Sequence, residues 1–405
     1  MIYSIALYLY ALAVVLVSPF RKKAWLMVKG QWNTFRILRK NIRREEMYVW
    51  FHAASLGEFE QGRPLMERLR EHPEYKILLT FFSPSGYEVR KDYEGADVVC
   101  YLPFDTPGNV RSFLRLARPR MAFFIKYEFW NNYLHACRRR QIPVYSVSSI
   151  FRENQVFFRW YGRSYSDVLR CVTHFFVQNE ASRELLARKG ITNVTVAGDT
   201  RFDRVLDICW QAKDLPLVKA FKQDAKVLVA GSSWAPDEDL IIPYFNAHPE
   251  MKLVLAPHVV SEDHLKEIEG KLRRPFVRYS RVTEESAARA DCLIIDGYGL
   301  LSSIYRYGEM AYVGGGFGVG IHNVPEAAVY GVPVLIGPNN RKFREAQDLL
   351  REGGCMEVTD ADTFGRTMDR LLSDGKFLAE RGRIAGQYIE RNAGASDLIF
   401  DSVKF

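Results

Sequence analysis

From residue 47 onward, short apolar runs alternate with amphipathic stretches. MYVWFHA, KILLTFF, DVVCYLPF, RMAFFIK, PVYSVSS, THFFVQ and VTVAG read as strands. Helical periodicity follows from about Glu58, after SPSG, and near 107–117, 130–140, 158–170 and 180–189. Runs that are apolar on both faces, separated by helices, predict βα units and a parallel sheet. After GDTRFDRVLDI, which starts at Gly198, the alternation resumes with KVLVAGSS, KLVLAPH, CLIIDG, MAYVGGG and PVLIG. The helices of this second set are expected from about Pro236 and near 261–272, 299–306, 325–330, 343–351, 361–373 and 376–392. Two consecutive α/β halves follow, with no short-period repeat and no low-complexity tract.

The first 44 residues break this pattern. MIYSIALYLYALAVVLVSPF carries no charge and is followed by Arg21, Lys22 and Lys23. Twenty apolar residues just suffice to cross a bilayer, and neither a basic leading segment nor a small-residue cleavage site marks a signal peptide. Residues 1–20 are expected to form a membrane-anchor helix; a buried core helix is the other reading of the same composition. The basic flank puts the body of the protein on the cytoplasmic side.

Residues 21–44 hold nine Lys or Arg and no acid, while the other 47 basic residues nearly balance the 48 acidic ones. Basicity is therefore local, which points away from nucleic acid and toward anionic membrane lipids. Trp25, Val28, Trp32, Phe35, Leu38 and Ile42 recur at helical spacing, which suits an interfacial helix or one that packs on the domain. The six cysteines are scattered with no C-x-x-C pair, so neither a disulfide framework nor a zinc site is indicated.

The expected fold class is α/β: two Rossmann-like, doubly wound domains facing a cleft. The expected limits are an anchor at 1–20, a basic interfacial segment at 21–44, an N-terminal domain at 45–204 and a C-terminal domain at 205–405. Such sheets bind ligands at the carboxyl ends of their strands, and the notable motifs all fall there. Ser55 and Glu58 have capping-box spacing at a helix start, so Glu58 is either a cap or a base. Glu128 and Trp130 pair an acid with an aromatic, a combination that suits a saccharide. Ser232 and Ser233 precede a helix with Pro236 near its start, a geometry for a phosphate or for a plain cap. Asp237 and Asp239 form a D-x-D, read as complementing the helix dipole rather than holding a metal. His258 ends a strand, where it either reaches the same phosphate or is an ordinary polar loop histidine. The glycine run 314–320 lacks a P-loop's GK[ST]; it leads to Asn323 and Glu326, where the acid either bridges ribose hydroxyls or complements a helix start.

Taken in order, FHAASLGE (51–58), TFFSPSG (80–86), KYEFWN (126–131), GDTRFD (198–203), GSSW (231–234) and GGGFGVGIHNVPE (314–326) resemble the 3-deoxy-D-manno-octulosonic acid (Kdo) transferases of lipopolysaccharide assembly. The resemblance implies a GT-B fold and an inverting glycosyltransferase that moves Kdo from CMP-Kdo to a lipid A precursor of the lipid IVA type. It implies Glu58 as general base, and an acceptor side holding Ser55, Ser83, Ser85, Glu128 and Trp130. The nucleotide-sugar side would hold Ser232, Ser233, His258, Gly315, Gly316, Asn323 and Glu326. No cofactor or metal is implied, and the place of work is the cytoplasmic face of a bacterial inner membrane. The chain departs from the family pattern at Asn131, at the adjacent Pro257 and His258, and within GDTRFD. The alternatives are another GT-B sugar-nucleotide enzyme, such as a lipid glycosyltransferase or an epimerase, or a non-catalytic glycolipid binder.

Overall fold

The computed structural model describes residues 2–405; Met1, part of the expected anchor, lies outside them. Two compact units emerge. One runs to Arg204 and takes in Ala393–Phe405; the other is Val205–Asn392.

The sheet of the first unit contains seven parallel strands: β1 (Met47–Ala53), β2 (Tyr75–Phe81), β3 (Val98–Tyr101), β4 (Met121–Ile125), β5 (Val144–Ser149), β6 (His174–Val177) and β7 (Val194–Val196), ordered β3-β2-β1-β4-β5-β6-β7. Val49, Trp50 and Phe51 are all buried, as expected of a strand covered on both faces. The sheet of the second unit is likewise parallel: β8 (Lys226–Ser233), β9 (Met251–Pro257), β10 (Phe276–Arg278), β11 (Cys292–Ile294), β12 (Met310–Val313), β13 (Val334–Ile336) and β14 (Cys355–Glu357), ordered β10-β11-β9-β8-β12-β13-β14. Strand order reverses beside β1 in one sheet and beside β8 in the other. These are the topological switch points where open α/β sheets leave a crevice.

Three expectations change. β10 and β14 were not anticipated: each is a three-residue edge strand with too little apolar pattern to register. The helix expected at 158–170 is instead a chain of short turns, Val156–Phe158, Trp160–Gly162, Arg163–Ser166 and Asp167–Cys171. Gly162 sits at its centre, where an added Cβ would lie 1.7 Å from the carbonyl oxygen of Val156, so the backbone is folded more tightly than a continuous helix allows. Residues 393–405, assigned with the second domain from sequence, belong to the first unit. Ile399, Phe400 and Val403 bury themselves against its core, and Asp203 accepts the amides of Gly394 and Ser396 and the Ser396 hydroxyl.

The N-terminal segment folds as α1 (Ile2–Val17) and α2 (Lys22–Asn41). α1 spans about 24 Å, less than the roughly 30 Å of a hydrocarbon core. Among the described residues no single helix is long and apolar enough to cross a membrane, although α1 and α2, bent by 119° to each other, satisfy that test together. α2 packs on the first unit: Thr34 donates to the Tyr101 carbonyl at 2.8 Å, Gln31 accepts the Phe104 amide at 3.0 Å, and Leu38 is fully buried. Trp25 and Trp32 face outward, so the expected single apolar stripe is divided between core and exterior. The Tyr3 hydroxyl donates to buried Asp105 at 2.8 Å and fixes the start of α1.

Candidate functional site

In the first unit the loop after β1 is the centre of a cluster of polar contacts. Ser55 is the N-cap of α3 (Leu56–Leu69), but its hydroxyl makes no capping bond. Only the other half of the box forms: Glu58 reaches back and accepts the Ala54 amide at 2.5 Å. The Ala54 carbonyl accepts the Ser83 amide at 2.8 Å, joining the loops after β1 and β2. Ser83 caps the short helix Pro84–Arg90, with the Ser85 hydroxyl 2.8 Å away. Ser55, Glu58, Ser83 and Ser85 are thus brought together by backbone bonds.

Burial pushes the Glu58 carboxyl up to about 7, and the charge of Glu128 adds to the rise; the Ala54 amide, Lys126 and the Ser55 amide oppose it. Glu128 lies beyond β4, past Lys126, which holds a left-handed backbone (φ 65°). Its carboxylate accepts the Trp130 indole N–H at 2.7 Å and lies 3.4 Å from His52 Nε2. The sequence reading passed over His52, although it stands inside FHAASLGE. It is a fully buried strand residue whose Nδ1 lies 2.9 Å from the Thr80 hydroxyl and 3.2 Å from the Thr80 carbonyl. A polar residue among the apolar positions of MYVWFHA was the available signal.

The motif 198–203 is architectural. Asp199 accepts from Gln61 and from Arg201, Thr200 donates to the Gln61 carbonyl, and the Arg201 guanidinium keeps the buried Asp199 carboxyl below its usual range despite desolvation.

In the second unit, β8 ends in Ser232, which adopts a left-handed backbone (φ 53°). The Ser233 hydroxyl turns inward and donates to buried Glu238 at 2.9 Å, so of the two serines only Ser232 keeps an outward side chain. Asp237 is also buried: it accepts the Trp234 amide, the Tyr312 hydroxyl and the Gly315 amide. Asp239 instead pairs with Lys271, so the D-x-D does not converge. Gly315 has φ 93°, and a Cβ on Gly316 would lie 2.5 Å from Gly337, which explains two of the glycines. His258 stacks between Trp234 and His322, at 4.7 and 4.5 Å. Asn323 donates to Glu326 at 2.7 Å at the start of the next helix. Tyr305, buried against Gly231, feels the charge of Glu326, so Glu326 stands near the end of β8.

Residues 31–204 match the family model of 3-deoxy-D-manno-octulosonic-acid transferase. The 3-deoxy-D-manno-octulosonic acid transferase of Aquifex aeolicus is 26% identical over 88% of this chain and 97% of its own. That of Bordetella pertussis is 27% identical over 93% of this chain and 92% of its own. Among solved structures, UDP-GlcNAc 2-epimerase from Neisseria meningitidis aligns with a TM-score of 0.63 at 17% identity, covering 88% of this chain and 99% of that one. Acinetobacter baumannii MurG aligns at 0.54 and 10% identity, covering 88% and 98%. At that identity the two structures establish a shared fold only. The sequence relatives, matched nearly end to end, carry the likeness further: the chain is similar to the Kdo transferases along most of its length, and these homologues indicate a glycosyltransferase.

Proposed function

We propose that the protein transfers Kdo from CMP-Kdo to a lipid A precursor, with Glu58 as general base. A sugar hydroxyl is a weak nucleophile near neutral pH, and a positioned carboxylate that removes its proton as the bond forms contributes roughly 10²–10⁴ in rate. What supports Glu58 is its geometry and proton affinity together: it is held from below by the Ala54 amide, and burial with the nearby Glu128 charge pushes it up to about 7. Glu128 and Trp130 then offer an acceptor and an aromatic face to the sugar of the lipid. On the donor side the cytidine phosphate leaves as an anion, met by Ser232, the glycine loop at Gly315 and Gly316, and His258, with Asn323 and Glu326 on the ribose.

In the same reading α1 and α2 seat the enzyme in one leaflet of a cytoplasmic membrane. α1 is short for a straight span, its outward face carries Leu9, Leu12 and Leu16, and the basic residues of α2 sit beside anionic headgroups.

Glu58→Gln tests the base. Gln satisfies the Ala54 amide equally well but cannot accept a proton. Transfer reduced by two or more decades at unchanged or higher thermal stability is the expected result; near-normal transfer returns Glu58 to a capping role.

A further inference from the structure

The helix Asn131–Arg139 starts directly after Glu128 and Trp130, and its N-cap is Trp130 itself. An indole carries a donor and no acceptor, so it cannot take the free amides of a first helical turn, and no side-chain capping bond forms from it. Those amides go elsewhere. The fully buried carboxylate of Asp105, in the loop after β3, accepts the Asn132 amide at 2.9 Å and the Tyr133 amide at 2.8 Å, the two positions that an N-cap side chain ordinarily serves. The Asp105 carbonyl also accepts the side-chain amide of Asn132. With the cap supplied by another loop, an aromatic can occupy this position and donate its indole N–H to Glu128 at 2.7 Å.

The same carboxylate is held by α1. The Tyr3 hydroxyl donates at 2.8 Å to the Asp105 oxygen that also takes the Asn132 amide. The Tyr3 ring lies 5.6 Å from that of Tyr165, whose hydroxyl donates to the Phe129 carbonyl at 2.8 Å. About two turns further along α1, Tyr10 meets Phe104 edge-on at 5.8 Å. Phe104 lies 6.1 Å from Phe82, and Phe82 lies 4.7 Å from Trp130. Positions 3 and 10 fall on one side of α1, while Leu9, Leu12 and Leu16 are exposed. The helix thus grips the Glu128–Trp130 segment twice, through the cap that follows it and through the ring beside it.

We propose that α1 is part of the acceptor side of the enzyme: Tyr3 is a positioning residue that, through Asp105 and Tyr165, holds Glu128 and Trp130 where they meet the acceptor sugar. On the reading of Glu128 and Trp130 as acceptor groups, on which this proposal rests, α1 has two tasks. Its exposed side meets lipid, and its inner side fixes the groups that meet the sugar of that lipid.

Two substitutions in the full-length protein test this. Tyr3→Phe keeps the ring against Tyr165 and removes only the hydroxyl. Asp105→Asn sets an N–H against a backbone N–H whichever way its amide is turned. With a lipid A precursor dispersed in detergent, so that vesicle seating does not enter, Tyr3→Phe should raise the acceptor KM by up to about tenfold, the size of one lost hydrogen bond, with kcat and the CMP-Kdo KM near wild type. Asp105→Asn should raise it further. The Trp130 indole N–H, assigned among the seven tryptophans by Trp130→Phe, should shift in the ¹H–¹⁵N spectrum of both variants. A role confined to fold stability lowers the melting temperature and leaves the acceptor KM and the indole resonance in place. A role confined to anchoring weakens sedimentation with vesicles and changes neither of them. Either result overturns the proposal. Unchanged acceptor KM in Glu128→Gln and Trp130→Phe would instead take down the acceptor reading, a failure told apart by an indole resonance that still shifts in Tyr3→Phe.

Discussion

The buried carboxylate of Asp237 accepts the amide of Gly315 at 2.8 Å, tying the first turn of the helix Ala235–Ala247 to the glycine loop that follows β12. The same carboxylate takes the Trp234 amide and the Tyr312 hydroxyl. Asp237→Ala strands three donors in an apolar surrounding. It should cost about 2–4 kcal/mol of stability in the second unit, seen as a lower urea midpoint, and should weaken donor binding measured as KM.

The proton affinity of Glu58 has a stability consequence of definite sign. Its folded-state value of about 7 lies above the ordinary 4.5, so its contribution is fully present below pH 4.5 and is lost as pH rises through 7. Glu58→Gln should therefore match the wild type in unfolding free energy near pH 5 and exceed it near pH 8, by up to about 3 kcal/mol. A melt series across that range checks the sign, and equal differences at both ends would exclude the raised affinity.

Removal of the last thirteen residues should damage the first unit, not the second. Ile399, Phe400 and Val403 leave the core that also contains Leu69 and Phe123, and Asp203 loses its three donors. A chain ending at Asn392 is expected to lose on the order of 5 kcal/mol and to expose apolar surface to a hydrophobic dye. Asp203→Ala should reproduce part of the loss.

Membrane seating should depend on the charges of α2. Replacing Lys22, Lys23 and Lys29 with Glu should cut sedimentation with anionic vesicles by well over tenfold, since each basic residue near such a surface contributes about 1 kcal/mol. The wild type should release from the vesicles as salt rises, and binding that is insensitive to both changes would leave only the apolar face of α1 as anchor. Trp32, 75% exposed, is a native fluorescence reporter of the same event.

Periodicity alone determined the main architecture. Apolar runs such as MYVWFHA and KVLVAGSS can be buried on both faces only in a parallel sheet covered by helices, and the strand ends then mark where ligands bind. The spacing of Ser55 and Glu58 likewise announced a helix start. It did not say that the serine half of the box stays unmade. Three kinds of information had to wait for tertiary structure, all for one reason: they are set by contacts between residues far apart in the chain. The C-terminal residues return to the first unit because Asp203, nearly two hundred positions earlier, holds their amides. Asp237 turns inward because Tyr312 and Gly315, much later in the second unit's sequence, meet it there. His52, one more position in an apolar strand when read along the chain, meets Glu128 and Trp130 only because β1 and β4 lie side by side at the switch point of the sheet.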